Sequence, residues 1–543
     1  MLPGCVPWPP HEAARHRRDG YWRGDTLGGL LRRAAREGGH RTALVHDGGR
    51  LTYAELDSRA DDLARGLAVL GLRRGDRVVV HLPNRPEFVL ATFALLRVGA
   101  LPVYALPAHR EREIGHLCAF AEAAAYLVPD RYLGYDYREL ARTVRKPGGP
   151  PGRVLVAGEA QEFTALDAVE RLGREHPDTP LAEADPGDVA LFLLSGGTTG
   201  LPKLIPRTHD DYSYNARAAA EVCGFGPGTV YLAALPAAHN FALACPGVLG
   251  TLAVGGTVVL PHDPSPDEAL RLIAQERVTA TALVPSLLAL WLEAQTWLPE
   301  DVSSLRLVQV GGAKPDAATA ARVRPVLDAA LQQVFGMAEG LVCLTRLDDP
   351  ADLVLTSQGR PLSPGDEVRV VDDDGHLVPP GAVGQLLTRG PYTLRGYYRL
   401  PEHNARAFTD GWYRTGDLVR ALPGGHLAVE GRVKEVINRA GDKVSAEEVE
   451  EHLAGHPDVR QAAVIGEPDP VLGERVVAFV VPEPGGTAPT AAAAAAFLTD
   501  RGLARYKAPD LVHTVAALPL TAIGKVDRRA LAARAVTPAP PPG

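Results

Sequence analysis

The stretch VALFLL (Val189–Leu194), followed by SGGTTGLPK (195–203), decides the fold. Six apolar residues in a row, ended by a turn signal, are typical of a strand buried on both faces. The loop after them offers backbone N–H groups, hydroxyls and a lysine, which are groups that can wrap phosphate oxygens. The spacing GxxxxGK[ST] is absent, so this is not a Walker A loop. An ordinary Gly/Ser/Thr loop is the alternative interpretation.

Strands and helices alternate on both sides of this stretch. The sequence predicts helices over residues 87–97, 264–276 and 316–327. Short runs rich in β-branched and other apolar residues predict strands at 77–82, 101–104, 257–260, 279–284 and 305–310. Such alternation predicts an α/β fold with mostly parallel sheets flanked by helices.

The sequence pattern changes towards the C-terminus. Turn signals between short strands over residues 365–430 predict a small antiparallel section. Later segments predict an α+β unit with helices at 446–454 and 491–498 and strands at 462–465 and 476–481. The predicted organisation is an N-terminal domain over residues 1–432 and a small C-terminal domain over 433–543. The proline-rich composition of the tail TPAPPPG (537–543) does not allow it to form a packed core.

Composition narrows the class of protein. The chain has 543 residues, 46% hydrophobic and 22% charged, which is ordinary for a globular protein, and its net charge of −8 argues against broad electrostatic binding of nucleic acid. Five widely spaced cysteines without a CxxC pair indicate a reducing compartment and no structural zinc.

The N-terminus lacks the apolar core of a signal peptide. Residues 241–261 carry no charge, but their proline and glycines favour a buried segment over a membrane span. A soluble, cytoplasmic protein is therefore expected.

Four further motifs follow the phosphate-type loop in a fixed order. They are QQVFGMAE (332–339), YRTGD (413–417), GRVKE (431–435) and GK (524–525). As an ordered set covering nearly the whole chain, they resemble the core motifs of the adenylate-forming superfamily. This superfamily includes acyl- and aryl-CoA synthetases, peptide-synthetase adenylation domains and luciferases. Within it, the chain resembles the stand-alone aryl-acid adenylating enzymes of siderophore synthesis, through KLIPRTHDDY (203–212), HNF (239–241), VGGAK (310–314), FGMAEGLV (335–342) and RGPY (389–392).

The resemblance implies a large N-terminal domain, a mobile C-terminal domain and two half-reactions. In the first, a carboxylate and ATP give acyl-AMP and pyrophosphate, with Mg²⁺ bound; in the second, a thiol captures the acyl group. The residues implied in ATP binding are Ser195, Gly196, Gly197, Thr198, Thr199, Gly200, Lys203, Gly311, Gly312, Val334, Gly336, Met337, Ala338, Asp417 and Arg432.

Specific roles follow for the charged residues. Lys525 is expected to offset the repulsion between the attacking carboxylate and the anionic α-phosphate. Glu339 is expected to hold Mg²⁺, a hard ion that prefers oxygen ligands, and Asp417 to accept hydrogen bonds from the ribose hydroxyls. By resemblance, Lys434 occupies the hinge between the domains. Lys443 contacts phosphopantetheine or nucleotide in one domain orientation, or is surface charge.

The resemblance also places an acid pocket, lined by His239, Asn240, Phe241, Cys245, Gly312 and Val342. Asn240 is expected to bind a ring 2-hydroxyl, where domains specific for amino acids carry an aspartate. A cysteine at position 245 favours salicylate, because a thiol is a weak hydrogen-bond partner and suits a ring position that bears hydrogen. Ala242 and Cys343 depart from the family's usual residues, which leaves open a pocket for a heteroaromatic acid such as 3-hydroxypicolinate.

The expected function is activation of salicylate to its adenylate, then transfer to the phosphopantetheine thiol of a separate aryl carrier protein. No nucleic-acid or membrane partner is expected. One alternative is another hydroxyaryl acid, above all 2,3-dihydroxybenzoate. A second is an aryl-CoA ligase, and a third is a non-catalytic ligand-binding or carrier-docking protein on the same fold.

Overall fold

The computed structural model describes residues 2–146, 148–181, 184–195, 201–433, 436–439, 442–469, 472–501, 503, 505–521 and 524–535. The helices in these ranges are α1 Pro10–Arg18, α2 Leu27–Gly38, α3 Tyr53–Val69, α4 Pro86–Val98, α5 Glu111–Phe120, α6 Tyr137–Val144, α7 Leu166–Glu175, α8 His209–Val222, α9 Asn240–Ala244, α10 Gly247–Ala253, α11 Pro266–Glu276, α12 Pro285–Trp297, α13 Ala317–Ala321, α14 Val323–Leu327, α15 Ala351–Thr356, α16 Pro401–Ala407, α17 Ala446–Leu453, α18 Ala491–Asp500 and α19 Arg528–Ala535.

The strands in the same ranges are β1 Thr42–His46, β2 Gly49–Thr52, β3 Arg77–Val80, β4 Leu101–Tyr104, β5 Ala125–Pro129, β6 Arg131–Tyr132, β7 Tyr135–Asp136, β8 Arg153–Ala157, β9 Thr164–Ala165, β10 Val189–Leu194, β11 Leu204–Thr208, β12 Val230–Leu232, β13 Thr257–Val259, β14 Ala280–Leu283, β15 Leu307–Gly311, β16 Ala330–Gly336, β17 Val342–Leu344, β18 Arg360–Pro361, β19 Glu367–Val371, β20 Val383–Arg389, β21 Phe408–Thr409, β22 Trp412–Ala421, β23 Leu427–Arg432, β24 Val436–Arg439, β25 Asp442–Ser445, β26 Val459–Asp469, β27 Gly473–Pro482 and β28 Leu511–Thr514.

Two large sheets form the N-terminal part of the chain. One has the order β11-β10-β4-β3-β5-β8-β9, and the other has the order β18-β17-β16-β15-β14-β12-β13-β1-β2. Their central pairs are parallel, whereas the edge pairs β10–β11, β1–β2, β16–β17 and β17–β18 are antiparallel. Helices α4 and α8 are buried almost all round, as expected for helices covered by neighbours on every side. The predicted α/β fold with mostly parallel sheets is confirmed.

A smaller antiparallel sheet follows, with the order β19-β20-β22-β21 and β23 paired to β22. It matches the antiparallel section predicted over residues 365–430. The last sheet has the order β25-β24-β27-β26 with β28 beside β27, and α17, α18 and α19 pack against it. These elements form the predicted α+β unit. The exact boundary after residue 432 and the mobility of this unit stay predictions.

The predicted helix over 316–327 is divided into α13 and α14. The break lies at Arg322, which caps the end of one helix and the start of the other. Pro325 explains it, because proline has no N–H to donate to the carbonyl four residues earlier and its ring crowds that carbonyl.

The uncharged segment 241–261 folds into two short helices and a strand, α9, α10 and β13. Nearly all of its residues are buried in the main core. Across the described ranges, no helix combines the length and apolar character needed to cross a membrane.

Buried neutral histidines give the fold a pH dependence. His209 is 3% exposed, and its Nδ1 accepts a hydrogen bond of 3.1 Å from the Leu27 backbone N–H. Burial lowers the pKa of His209 from 6.5 to about 4. In the unfolded chain this histidine is therefore protonated below about pH 6.5, whereas in the folded protein it stays neutral down to about pH 4. The free energy of unfolding consequently decreases as the pH falls from about 6.5 to about 4.

We predict that the free energy of unfolding, measured by urea denaturation, decreases between pH 7 and pH 5. His209→Gln is expected to weaken this dependence, because the substitution removes one of the groups that titrate. His262→Gln is the control, since His262 is exposed. Equal slopes in His209→Gln and the parent protein would contradict the assignment.

Candidate active site

Two hydrogen bonds close the phosphate-type loop at its base. The Ser195 backbone N–H donates to the Lys203 carbonyl at 3.0 Å, and the Lys203 N–H donates to Ser195 Oγ at 3.1 Å. Strands β10 and β11 lie antiparallel on either side of the loop. This pairing fixes the two ends of the loop at the end of a buried strand. Residues Gly196, Gly197, Thr198, Thr199 and Gly200, predicted to bind ATP, lie outside the described residues.

Glu339 lies in a buried polar cluster. Its Oε1 accepts a hydrogen bond of 2.8 Å from the Tyr397 hydroxyl, which also lies 2.8 Å from the Tyr413 hydroxyl. The Lys203 ammonium lies 5.0 Å from the centre of the Tyr397 ring. Burial raises the pKa of Glu339, while the Tyr397 hydrogen bond and the charges of Lys203 and Arg432 oppose the rise. The cluster brings a carboxylate and a lysine to one place next to the loop.

Arg207 anchors the backbone beside Glu339. Its guanidinium donates to Asp211 Oδ1 at 2.8 Å, to the Ala338 carbonyl at 2.9 Å and to the Tyr392 carbonyl at 3.1 Å. The Arg207 side chain is 1% exposed, so this charge is fully paired inside the protein. The strand β11 thereby holds two distant segments, 335–342 and 389–392, against the loop it carries.

Asp417 offers an unused acceptor. It lies opposite Arg432 in the β22–β23 pair, and Arg432 Nε donates to its Oδ1 at 2.7 Å. The residue is 3% exposed, yet its Oδ2 is buried and receives no hydrogen bond from the residues that the structure describes. A buried carboxylate oxygen without a donor is costly in a folded protein. The position therefore fits a ligand that brings hydroxyl donors.

Lys525 reaches from the C-terminal unit to the N-terminal sheets. Its Cε lies 3.6 Å from the place that a β-carbon would occupy on Gly312, a residue with a φ of +84°. The preceding Gly524 carbonyl accepts a hydrogen bond of 3.2 Å from Ser286 Oγ at the start of α12. Burial lowers the pKa of His239 to about 4, and the charge of Lys525 contributes to this shift. Lys525, Gly312 and His239 thus lie together in this domain arrangement.

Residues of the nine-stranded sheet pack closely against helix α9, which carries the predicted acid-pocket residues. Gly311 pairs with Val334, and Gly336 pairs with Val342 across the neighbouring strands. A β-carbon on Gly311 would lie 3.0 Å from the Phe241 ring and 2.7 Å from the Val334 carbonyl. Glycine is therefore required for the close approach of α9 to the sheet.

Helix α9 and the residues at its two ends carry the polar side chains predicted for the acid pocket. His239 caps the helix, since its Nδ1 accepts from the Phe241 backbone N–H at 3.3 Å. Asn240 is 8% exposed and its Nδ2 lies 3.7 Å from the Cys245 sulfur. Burial raises the pKa of Cys245 to about 12, so its thiol is protonated. The predicted pocket residues are brought together, with a neutral amide and a neutral thiol side by side.

Residues 31–398 match the AMP-binding enzyme family, and residues 448–525 match the AMP-binding enzyme C-terminal domain. The chain belongs to the AMP-binding enzyme family. It is 53% identical to 2,3-dihydroxybenzoate-AMP ligase of Bacillus subtilis over 532 residues, which cover 98% of this chain and 97% of that protein. It is 48% identical to salicyl-AMP ligase / salicyl-S-ArCP synthetase of Mycobacterium tuberculosis over 536 residues, 98% of this chain and 94% of that one.

Solved structures agree with this assignment. The apo structure of MbtA from Mycobacterium smegmatis superposes with a TM-score of 0.76 at 48% identity, covering 98% of this chain and 99% of that chain. The predicted membership of the adenylate-forming superfamily, the resemblance to aryl-acid adenylating enzymes and the prediction of an enzyme are confirmed.

For two predicted residues of this AMP-binding enzyme, Lys434 and Lys443, the described part of the structure includes no side-chain contacts. Lys434 lies outside the described residues. Lys443 belongs to β25, where it pairs with Asn438 in β24. Their roles at the hinge and at the thiol acceptor stay predictions.

The suggestion that Cys343 reshapes the acid pocket is not supported by the structure. Cys343 packs with Leu341 and Val370 in a separate buried cluster, whereas its neighbour Val342 belongs to the main core. Successive strand residues point to opposite faces, so Val342 and Cys343 cannot both face the pocket. Ala242 is fully buried in the main core beside the pocket helix.

Sequence reasoning missed three buried residues that organise the site. Arg207 and Tyr212 lie in the stretch 203–212 that carried the family resemblance, but no role was assigned to them. Tyr397 lay in no quoted motif, although it contacts both Glu339 and Lys203. The hydroxyl-bearing tyrosine in RGYY (395–398) was the available signal, and its partners are distant in the sequence.

Proposed function

We propose that this AMP-binding enzyme activates an aryl acid, with salicylate as the preferred substrate, to its adenylate and transfers the aryl group to a carrier thiol. The observation that carries the proposal is the position of Lys525. It lies against Gly312 and near His239, where the acid pocket of α9 meets the nucleotide-binding motifs. A cation at this junction supports the first half-reaction, in which two anions must approach.

The proposed role of Lys525 is electrostatic. Its ammonium offsets the repulsion between the aryl carboxylate and the α-phosphate and stabilises the charge that develops as pyrophosphate leaves. The neutral state of His239 keeps a second positive charge away from Lys525. The apolar residues Phe241, Val334 and Val342 exclude water from the ring side of the pocket.

Glu339 fits the binding of Mg²⁺. Carboxylate oxygens are ligands that Mg²⁺ prefers, and the ion usually binds through one or two carboxylates together with substrate phosphates. The Tyr397 hydroxyl orients one oxygen of Glu339 at 2.8 Å. When bound, the ion would neutralise phosphate charge, and Lys203 on the same cluster would do so from the protein.

Asp417 is proposed to bind the ribose of ATP. Its buried Oδ2 lacks a donor from any described residue, and Arg432 holds Oδ1 at 2.7 Å, which fixes the direction of the carboxylate. Ribose hydroxyls would supply the missing donors. Arg432 and the residues Gly336, Met337 and Ala338 are proposed to complete the nucleotide site.

The choice of salicylate rests on Cys245. A buried, protonated thiol suits a ring position that bears hydrogen, whereas 2,3-dihydroxybenzoate would place a hydroxyl there. The names of the similar proteins include both acids, so the residue and not the family argues for salicylate.

The experiment is ATP–pyrophosphate exchange with salicylate, 2,3-dihydroxybenzoate, benzoate and 3-hydroxypicolinate in parallel. Exchange led by salicylate is the expected result. Exchange led by 2,3-dihydroxybenzoate would keep the aryl-acid activity and reject the interpretation of Cys245. Absence of exchange with all four acids, with the protein folded, would reject the proposed function and favour a binding protein on this fold.

The second half-reaction is proposed to use the phosphopantetheine thiol of a separate aryl carrier protein. We propose that residues 433–543 form a mobile domain that turns about Lys434 between the two steps. A single-turnover thioester assay with preformed aryl-AMP tests the acceptor. Transfer to the carrier but not to coenzyme A supports the proposal, and the reverse result would make the protein an aryl-CoA ligase.

A further inference from the structure

The residues before helix α2 pack along a later segment that borders the site. Residues 2–26 form an N-terminal strap, and residues 391–399 form the bracing segment that it contacts. Three polar contacts join the two: the Trp22 indole N–H donates to the Pro391 carbonyl at 2.9 Å, Arg395 donates to Glu12 at 3.2 Å, and the Arg399 N–H donates to the Gly4 carbonyl at 2.9 Å. The strap lies ahead of residues 31–398, the range that matches the AMP-binding enzyme family.

Aromatic packing buries the first of these contacts. Trp22 is 3% exposed, and its ring centre lies 5.0 Å from that of Trp8. The Arg395 guanidinium lies 5.4 Å from the centre of the Trp8 ring and so belongs to the same cluster. Water does not reach the buried contact between Trp22 and Pro391. If the indole N–H is removed, the bracing segment therefore loses a hydrogen bond that solvent does not restore.

The strap is itself fixed to helix α8. Arg17 donates to Asp210 Oδ2 at 2.6 Å, and the Asp210 side chain is fully buried. Arg217 donates to the Tyr21 carbonyl at 2.6 Å. Helix α8 follows directly on strand β11, which flanks the phosphate-type loop. The strap therefore connects the bracing segment to a core helix next to that loop.

The bracing segment in turn holds Glu339 by its backbone and by its side chain. The Leu394 N–H donates to the Glu339 carbonyl at 2.7 Å, and the Tyr397 hydroxyl donates to Glu339 Oε1 at 2.8 Å. Along the segment, these two contacts lie between the three contacts with the strap. A shift of the segment away from the strap would therefore also move the groups that orient the Glu339 carboxylate.

We propose that the N-terminal strap supports the metal site, because it fixes the bracing segment and thereby the direction of the Glu339 carboxylate towards Mg²⁺ and ATP. Trp22 and Glu12 are positioning residues in this scheme, since they act on Glu339 only through the bracing segment. The inference rests on the proposed binding of Mg²⁺ by Glu339 and adds to it a support from outside the range that matches the family.

The test measures ATP affinity by calorimetry, once with Mg²⁺ and once with Mg²⁺ removed by EDTA. The Mg²⁺ factor is the ratio by which the ion strengthens ATP binding. Trp22→Phe keeps an aromatic ring in the cluster and removes the indole N–H, and it should lower the Mg²⁺ factor about fivefold. Affinity without Mg²⁺ should stay within about twofold of the parent value, since that part of the binding does not use the Glu339 carboxylate.

Two further variants approach the same contact from either end. Tyr397→Phe removes the direct hydrogen bond to Glu339 and should lower the Mg²⁺ factor about tenfold, in the same direction as Trp22→Phe. Glu12→Ala removes the contact of the strap with Arg395 and should lower the factor about two- to threefold. This variant keeps the test valid if Trp22→Phe does not fold.

Trp291→Phe is the matched control. Trp291 in α12 is buried like Trp22, but its indole nitrogen has no hydrogen-bond partner among the described residues. The substitution should lower the melting temperature, as other losses of core volume do, and leave the Mg²⁺ factor at the parent value. Lost stability alone therefore cannot imitate the expected result.

The outcomes separate this inference from the proposed function. An unchanged Mg²⁺ factor in both Trp22→Phe and Glu12→Ala, with a lowered factor in Tyr397→Phe, would overturn the role of the strap and leave the role of Glu339 standing. A factor lowered equally in Trp291→Phe and Trp22→Phe would also overturn it. If Mg²⁺ did not strengthen ATP binding to the folded parent protein, the metal assignment of Glu339 would fall with this inference, whereas ATP–pyrophosphate exchange tests adenylation separately.

Discussion

Lys525→Ala is expected to reduce ATP–pyrophosphate exchange with the aryl acid by about 100- to 1000-fold. The lysine lies next to Gly312 and His239, where the carboxylate and the α-phosphate are proposed to meet. Its removal takes away the cation proposed to act between the carboxylate and the α-phosphate, so the loss should be in kcat. ATP binding, measured by isothermal titration calorimetry, should change by less than about threefold, because Lys203, Asp417 and Glu339 stay in place.

A second lysine of the C-terminal unit provides the control. Lys507 is paired with Glu448 at 2.7 Å, and neither residue belongs to the proposed site, so Lys507→Ala removes the same charge without removing a site residue. Its exchange rate should stay within about twofold of the parent rate, since a partly exposed ion pair away from the proposed site contributes little. An equal loss of exchange activity in Lys525→Ala and Lys507→Ala would reject the catalytic role of Lys525. The role would also be rejected if Lys525→Ala lost ATP affinity by the same factor as exchange activity.

Asp417→Asn is expected to weaken ATP binding by about 100-fold, with a smaller change in the KM for the aryl acid. The substitution keeps the shape of the side chain but removes the charge that orients Arg432 and is proposed to accept hydrogen bonds from the ribose hydroxyls. Hydrogen bonds to a charged acceptor contribute about 1.5–3 kcal/mol each, and their partial loss accounts for an effect of this size. Calorimetric titration with ATP measures it directly.

Asp349→Asn is the matched control for this variant. The Asp349 side chain is 9% exposed and lies 2.9 Å from His426 Nε2, so it is also a buried carboxylate with a nitrogen-bearing side chain as its partner. Its substitution should lower the melting temperature and leave the affinity for ATP unchanged. Equal ATP affinities in Asp417→Asn and the parent protein would reject the ribose assignment.

Local sequence was sufficient for the elements and for the order of the motifs. Helices α4 and α18 and strands β4, β10 and β27 form where the apolar runs and alanine tract predict them, because short-range periodicity and propensity act on neighbouring residues. Pro325 could also have predicted the break between α13 and α14. The identities of Glu339, Asp417 and Lys525 followed from the motifs, although their meeting in space did not.

The contacts that organise the site join residues far apart in the chain. Arg207 holds the carbonyls of Ala338 and Tyr392, which are 131 and 185 positions away. Tyr212 reaches Asn240 over 28 positions. No periodicity encodes such pairs, because the packing of helices between two sheets decides which side chains approach each other.

The sequence by itself determined the α/β architecture, the family and the residue types of the site. Only the tertiary structure decided that Val342 packs in the main core while Cys343 packs in a separate cluster, since strand alternation specifies opposite faces but not what each face packs against. The tertiary structure also decided the direction of the Asn240 amide. An amide can donate or accept, and its buried neighbours select the direction: the Tyr212 hydroxyl lies 2.8 Å from Asn240 Oδ1, and the Cys245 sulfur lies 3.7 Å from Nδ2.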